Sequence, residues 1–294
     1  MIPIIWDIGK FTWDTALPFF AASGIHTFEI FGIENVNIDG FAAIVFIRGC
    51  NATDHYDKIN ECAARFSRVV FFIYGDEEGI FQIDQLKHPN KIIWWAMPPI
   101  HQQTPDRAVI LGWPIEAGSM ILQAKSESRK YDWSFSGQVT NERRVSCVDA
   151  LRKIPNGHIH ETPGFRMGTD RAAFYRLLSA SKMVPCPSGP ITVDSYRFAE
   201  ALECGAIPIA DNVSPNPSFK VGYWNAVLGD DLPFPIINDW RTLPIVISEW
   251  LSDWEEKATT CQRWWLAKKQ SWIDQMAEDV RVRKYCSNVP PVGN

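Results

Sequence analysis

The chain has 294 residues, 46% of them hydrophobic and 21% charged, with a formal net charge of −5. That length is enough for two domains of ordinary size, each with its own core, while the negative balance leaves no global basic field for a polyanion, so a nucleic acid would need a local patch. The seven cysteines are scattered and never form a C-x-x-C pair, so they point to reduced core residues and not to zinc or dithiol chemistry.

The opening MIPIIWDIGKFTWD has no basic segment ahead of an apolar stretch, and no run of about 18 uncharged apolar residues occurs, so the expectation is a soluble, cytoplasmic chain without a membrane span. After IPIIW and Asp7, GFAAIVFIRG (40–49) reads as a buried strand. DHYDKINECAARFS (54–67) reads as a helix with Asp54 as its cap, and RVVFFIYG (68–75) as the next strand. NKIIWWAMPP (90–99) and DRAVILGWPI (106–115) supply two more strands, completing a first α/β unit. The pattern lapses into the polar segment EAGSMILQAKSESRK, which suits a linker, and domains are predicted at 1–120 and 121–294.

Alternation then restarts. WSFSGQ (133–138) is a strand, NERRVSCVDALRKI (141–154) a helix capped by Asn141, HIHETPG (158–164) a strand and RAAFYRLLSAS (171–181) a helix. KMVPCPSG (182–189) is a short buried strand, followed by a helix over 194–204 with Asp194 as cap and a strand over 206–210. From Trp240 to about Tyr285 the sequence is almost wholly helical and rich in tryptophan, which calls for core packing.

Two turns carry anion chemistry. A strand ending in Ser136-Gly137 and a helix starting after Asn141 leave backbone N–H groups pointing outward, while Arg143 and Arg144 sit in a first turn where the helix dipole disfavours cations. Either an anion is held there or both arginines are merely solvated. The turn SGPITVDS has the same design: Gly189 and Pro190 shape it, Ser195 adds a hydroxyl, and Arg197 and Glu200 share one helix face before Gly205 stops the helix. Read alone, the Arg197/Glu200 pair is a surface ion pair worth about 0.3–0.5 kcal/mol. Its position decides otherwise: ligands of open α/β sheets bind beyond the carboxyl ends of the strands, and two such helix starts plus a carboxylate describe a nucleoside diphosphate site with Glu200 on the ribose.

The order LGW (111–113), DWSFSGQ (132–138), RR (143–144), SKMVPCPSG (181–189) and SYRFAEALECGAIPIAD (195–211) resembles the exostosin family of glycosyltransferases. The resemblance covers about residues 107–212. It implies a GT-B architecture of two Rossmann-like domains facing a cleft, and an inverting, metal-independent transfer from a nucleoside-diphosphate sugar, UDP above all, to a glycan hydroxyl. It further implies that Arg143 or Arg144 meets the diphosphate, that Ser188 and Gly189 line the donor pocket, that Arg197 neutralises phosphate charge and that Glu200 holds the ribose; the two turns themselves add Gly137 and Ser195 to the donor-binding candidates. No cofactor beyond the donor is expected, and His158 and His160, without a third ligand, take a structural role.

Inversion needs a base for the acceptor hydroxyl. Asp76 and Glu77, in the GDEEG turn at the carboxyl end of strand 68–75, are the candidates, with Asp7 as another; the same turn also reads as a solvated acidic loop. Trp94, Trp95, Trp113 and Trp133 lie near strand ends, where rings can stack on sugars, although core packing accounts for them equally. Two other functions share this sequence: a phage-type DNA glycosyltransferase whose acceptor is a hydroxymethylated base, and a non-catalytic nucleotide- or glycan-binding module.

Overall fold

The computed structural model describes residues 1–7, 26–76, 78–99, 102–110, 129–164, 167–168, 170–217 and 222–281. The expected domain boundary at 120/121 lies outside these residues, as do the strand residues beyond 110. The chain is α/β, with two all-parallel sheets. The first has six strands: β1 (Ile2–Trp6), β2 (Thr27–Phe31), β3 (Gly40–Arg48), β4 (Phe66–Tyr74), β5 (Lys91–Ala96) and β6 (Arg107–Val109), in the spatial order β2-β1-β3-β4-β5-β6. The second contains β7 (Tyr131–Gly137), β8 (Gly157–Glu161), β9 (Ser181–Cys186), β10 (Ile207–Asp211) and β11 (Ile236–Ile237), ordered β11-β10-β9-β7-β8.

The helices are α1 (Tyr56–Ala63), α2 (Glu142–Leu151), α3 (Arg171–Ser179), α4 (Tyr196–Glu203), α5 (Tyr223–Leu228), α6 (Leu243–Leu251) and α7 (Trp254–Val280). Two expected caps differ. His55, not Asp54, precedes α1, and Ser195, not Asp194, precedes α4. The predicted helical run from Trp240 breaks at Ser252-Asp253, which puts Trp250 and Trp254 in different helices.

The unbroken apolar runs of β3 and β4 follow from burial on both faces. Ile5, Val45, Phe71, Ile73 and Trp95 pack with α1, while their neighbours Ile4, Trp6, Phe46, Phe72 and Trp94 join the core that continues through the second sheet. Across that second face one aromatic row runs in strand register, Trp6 beside Phe46, Phe46 beside Phe72 and Phe72 beside Trp94. Ring centroids are 4.4, 4.8 and 6.3 Å apart along it.

Helix α7 joins the two sheets. Its middle docks on α4, where Glu203 Oε1 accepts from Trp265 Nε1 at 2.8 Å and from Lys269 Nζ at 2.6 Å. At its carboxyl end, Asp279 accepts from Trp94 Nε1 at 3.0 Å and from Arg107 Nη2 at 3.4 Å, and Arg68 donates to the Arg281 carbonyl at 2.9 Å. Arg129 pins helix ends in the second unit: its guanidinium donates to the carbonyls of Leu178, Ser181 and Cys204. Gly205 ends α4 with φ +71°, and a Cβ there would lie 2.7 Å from Arg129 Nη2, so both backbone conformation and close approach require glycine.

Candidate functional site

Because every strand of the second sheet runs parallel, the turns after β7, β9 and β10 gather at one edge. Asn141 stitches the first two together. Its Oδ1 caps α2 by accepting from Arg144 N at 3.0 Å, and its amide donates to the carbonyls of Ser188 at 3.4 Å and Gly189 at 3.2 Å. Arg144 adds bonds to the Ser188 and Gln138 carbonyls at 3.1 and 3.2 Å.

Arg143 meets an anion, as its unfavourable place at a helix start requires, and that anion belongs to the protein. Its Nε and Nη2 donate to the two oxygens of Asp211 at 3.1 and 2.6 Å, and Nη2 also reaches the Asn238 carbonyl at 2.9 Å. Asp211 is wholly buried and further accepts from Ser188 N, Val213 N and Trp240 Nε1. Sequence reasoning passed over this residue. The signal was available: a carboxylate closing the apolar run IPIA at a strand's carboxyl end, in the same unit as an arginine that needs a counter-charge.

Arg197 reaches back to β7. Its guanidinium stands over the Phe135 ring at 4.7 Å, and Nε and Nη2 donate to the Ser136 carbonyl at 3.1 and 2.7 Å. This approach depends on Gly137, where a Cβ would lie 2.2 Å from Nη2. The i,i+3 ion pair with Glu200 does not form among the described residues, because the guanidinium points to the strand instead.

Three donors beside this arginine, together with the acceptor Asp194 Oδ1 in the same turn, are buried without a hydrogen-bond partner among the described residues: Arg197 Nη1, Ser188 Oγ and Ser195 Oγ. Arg197 is 8% exposed and Ser188 is not exposed at all. Leaving a buried donor unpaired costs about 1–3 kcal/mol, more for a charged group. Three in adjoining turns mark a place built for a polar partner. Gly189 lies against the carbonyls of Thr192 and Asp194, where a Cβ would be at 3.3 and 3.2 Å.

Glu200, one turn into α4, is partly buried, and burial pushes its carboxyl up to about 7 against the opposing fields of Arg197 and Arg171. Asp194 is held at about 6 by burial, with its Oδ2 accepting from Tyr223 Oη at 2.6 Å. Instead of capping α4, it ties the turn to α5.

The carboxyl edge of the first sheet is satisfied differently. Asp76 is buried, and its two oxygens accept from the N–H groups of Ile80 and Phe81, each at 3.0 Å, which folds the loop around it. Burial raises its carboxyl above the usual range. Glu77 lies outside the described residues. Asp7, partly buried, accepts from Arg48 N at 2.9 Å. Trp94, Trp95 and Trp133 are core residues at 0, 0 and 3% exposure, which removes them as a stacking platform; Trp113 is outside the described residues.

No family model matches the chain, and no curated protein does. Solved structures do. The Anabaena protein HepE in complex with UDP shares 10% identity over 95% of this chain and 98% of its own, with a TM-score of 0.46; its complex with UDP and glucose gives 11%, 95%, 98% and 0.45. The glycotransferase of kitacinnamycin gives 11% identity over 95% of this chain and 99% of that one, at 0.44. Likeness at that level carries no functional statement about this chain.

Among the described residues no group of three or more His, Cys, Asp or Glu side chains could hold a metal ion. His160 Nδ1 lies 3.2 Å from Ser136 Oγ, and His158 packs against Tyr131 at 5.4 Å. No helix of the described residues is long and apolar enough to cross a membrane.

Proposed function

We propose that the chain is a GT-B-type glycosyltransferase that takes a sugar from a nucleoside-diphosphate donor, in the first place UDP, to a hydroxyl of a carbohydrate acceptor. The observation that carries this reading is the trio of orphaned buried groups, Arg197 Nη1, Ser188 Oγ and Ser195 Oγ, gathered where α4 begins. A cationic donor and two hydroxyls beside a helix N-terminus suit the oxygens of a diphosphate, and the same groups favour the charge that develops on the leaving group as the glycosidic bond breaks. Glu200, one turn further and unbonded among the described residues, is assigned to the ribose hydroxyls.

In this reading Arg143 and Arg144 shape the pocket from behind, since their hydrogen bonds hold the turns in which Gly137, Ser188 and Gly189 sit. The exostosin resemblance makes the displacement inverting and free of metal. The acceptor base is then sought on the opposite edge among Asp76, Glu77 and Asp7. Asp76 already serves two backbone donors, which leaves it half of a carboxylate's accepting capacity.

The test is a thermal-shift screen of nucleotide sugars, followed by calorimetry with UDP and GDP. A ligand bound only by the folded state raises the melting temperature by mass action. Absence of any nucleotide binding at millimolar concentration rejects the proposal. Binding without donor hydrolysis or transfer leaves a non-catalytic module, and transfer of labelled sugar only to hydroxymethylated duplex DNA moves the acceptor to nucleic acid.

A further inference from the structure

We infer that Asp211 is a positioning residue for the donor pocket: it touches no ligand itself and sets the turn that presents Ser188. This rests on the reading of the α4 edge as a nucleotide site. Its carboxylate accepts five hydrogen bonds, two from Arg143 and one each from Ser188 N, Val213 N and Trp240 Nε1. About four lone-pair sites are available on a carboxylate, so its capacity to receive a ligand donor is used up.

The five donor atoms belong to four residues from separate parts of the chain. Arg143 belongs to the first turn of α2, Ser188 to the β9–α4 turn, Val213 to the segment after β10, and Trp240 to the stretch ahead of α6. The same residue's carbonyl accepts from Trp224 Nε1 at 2.8 Å, adding α5. Asp211 itself has 0% exposure, so its oxygens meet protein donors and not solvent. Ser188 is the link to the site. Its N–H is held by Asp211 at 3.2 Å and its carbonyl by Arg144 and Asn141, while its Oγ is left unpaired. Movement of Asp211 therefore displaces a hydroxyl that the protein keeps for a ligand.

The test is UDP calorimetry on the full chain, well below the melting temperature, with wild type and Asp211→Asn. A positioning role predicts UDP affinity about tenfold weaker in the variant, the size of one lost hydrogen-bonded contact. Unchanged affinity overturns the inference, since a residue serving stability alone lowers only the melting temperature. Tighter binding also overturns it, because Arg143, once released, would then be a phosphate ligand. If Asp211→Asn does not fold, the neutralised pair Asp211→Asn/Arg143→Met is compared with Arg143→Met: weaker UDP binding in the pair upholds the role, and equal affinity removes it. Failure of wild type to bind UDP or any nucleotide speaks against the site itself, not against Asp211.

Discussion

The carboxyl edges of the two sheets are built on the same parallel topology, yet they treat polar groups in opposite ways. On the first, two carboxylates hold backbone nearby: Asp76 accepts from two N–H groups of its own loop and Asp7 from the backbone of Arg48. On the second, the backbone is secured by Asn141, Arg144 and Asp211, and three side-chain donors, Arg197 Nη1, Ser188 Oγ and Ser195 Oγ, are left over beside Asp194 Oδ1. Satisfied polar groups explain a fold. Single unpaired atoms occur in the first sheet as well, at Trp6 Nε1, Trp95 Nε1 and Arg107 Nε, but a guanidinium and two hydroxyls gathered at one helix start suit a ligand that is not part of the fold.

The strongest way to break this contrast is to remove the leftover charge. Arg197→Met keeps an unbranched side chain over Phe135 but deletes the buried guanidinium, and UDP affinity is expected to fall by about 100-fold, the equivalent of ~2.7 kcal/mol. Calorimetry checks it. A variant that binds UDP as wild type does would show that Nη1 is an unpaired atom without a ligand.

On the first edge the expectation is reversed. Asp76→Ala leaves the N–H groups of Ile80 and Phe81 without their partner, for a loss of ~2 kcal/mol in stability. The melting temperature should drop by several degrees while UDP affinity stays within error. If transfer activity also vanishes in folded protein, Asp76 is more than a loop organiser, and its spare lone pairs become the acceptor base.

Gly137→Ala sharpens the comparison from the backbone side. The new methyl would sit 2.2 Å from Arg197 Nη2, and the guanidinium must swing away from Ser136. Repacking of this kind costs ~1–2 kcal/mol and should weaken UDP about tenfold. Equal loss of UDP binding in Arg197→Met and the double variant Gly137→Ala/Arg197→Met would show that the glycine acts only through that arginine.

The second sheet was legible because its signals are local. Asn141 caps its helix as composition demands, Gly205 stops α4, and the strand–turn–helix order places Ser188, Ser195 and Arg197 together. What the sequence could not display is pairing at a distance. Arg143 and Asp211 are 68 residues apart, and only the order β10-β9-β7 brings their turns within reach, so an arginine that looked ready for an external anion had an internal one. Asp194 misled for the same reason, since a residue of good capping chemistry was claimed by Tyr223, 29 positions away. In the first sheet the apolar runs of β1, β3, β4, β5 and β6 were legible and the half-exposed β2, Thr27–Phe31, was not; the loop after β4 buries Asp76 through backbone contacts that no spacing rule announces.

The smallest expected effect lies in the pH response of Glu200, and it tests whether the second edge is wet or filled. Burial holds its carboxyl at about 7, against 4.5 for the free group. Between those values the folded chain keeps a proton that the unfolded chain has lost, so this group's contribution to stability is full below about 4.5, declines as pH rises, and is gone above about 7. Ribose hydroxyls donate best to the ionised form, which gives UDP the opposite preference. Wild-type affinity should therefore rise severalfold between about pH 6 and 8, as the carboxylate fraction grows. Glu200→Gln has no proton to lose and should show none of that rise beyond what the phosphates of UDP contribute, so the difference between the two proteins isolates the residue. Parallel pH profiles for wild type and Glu200→Gln would mean that the carboxylate faces solvent and the ribose is held elsewhere.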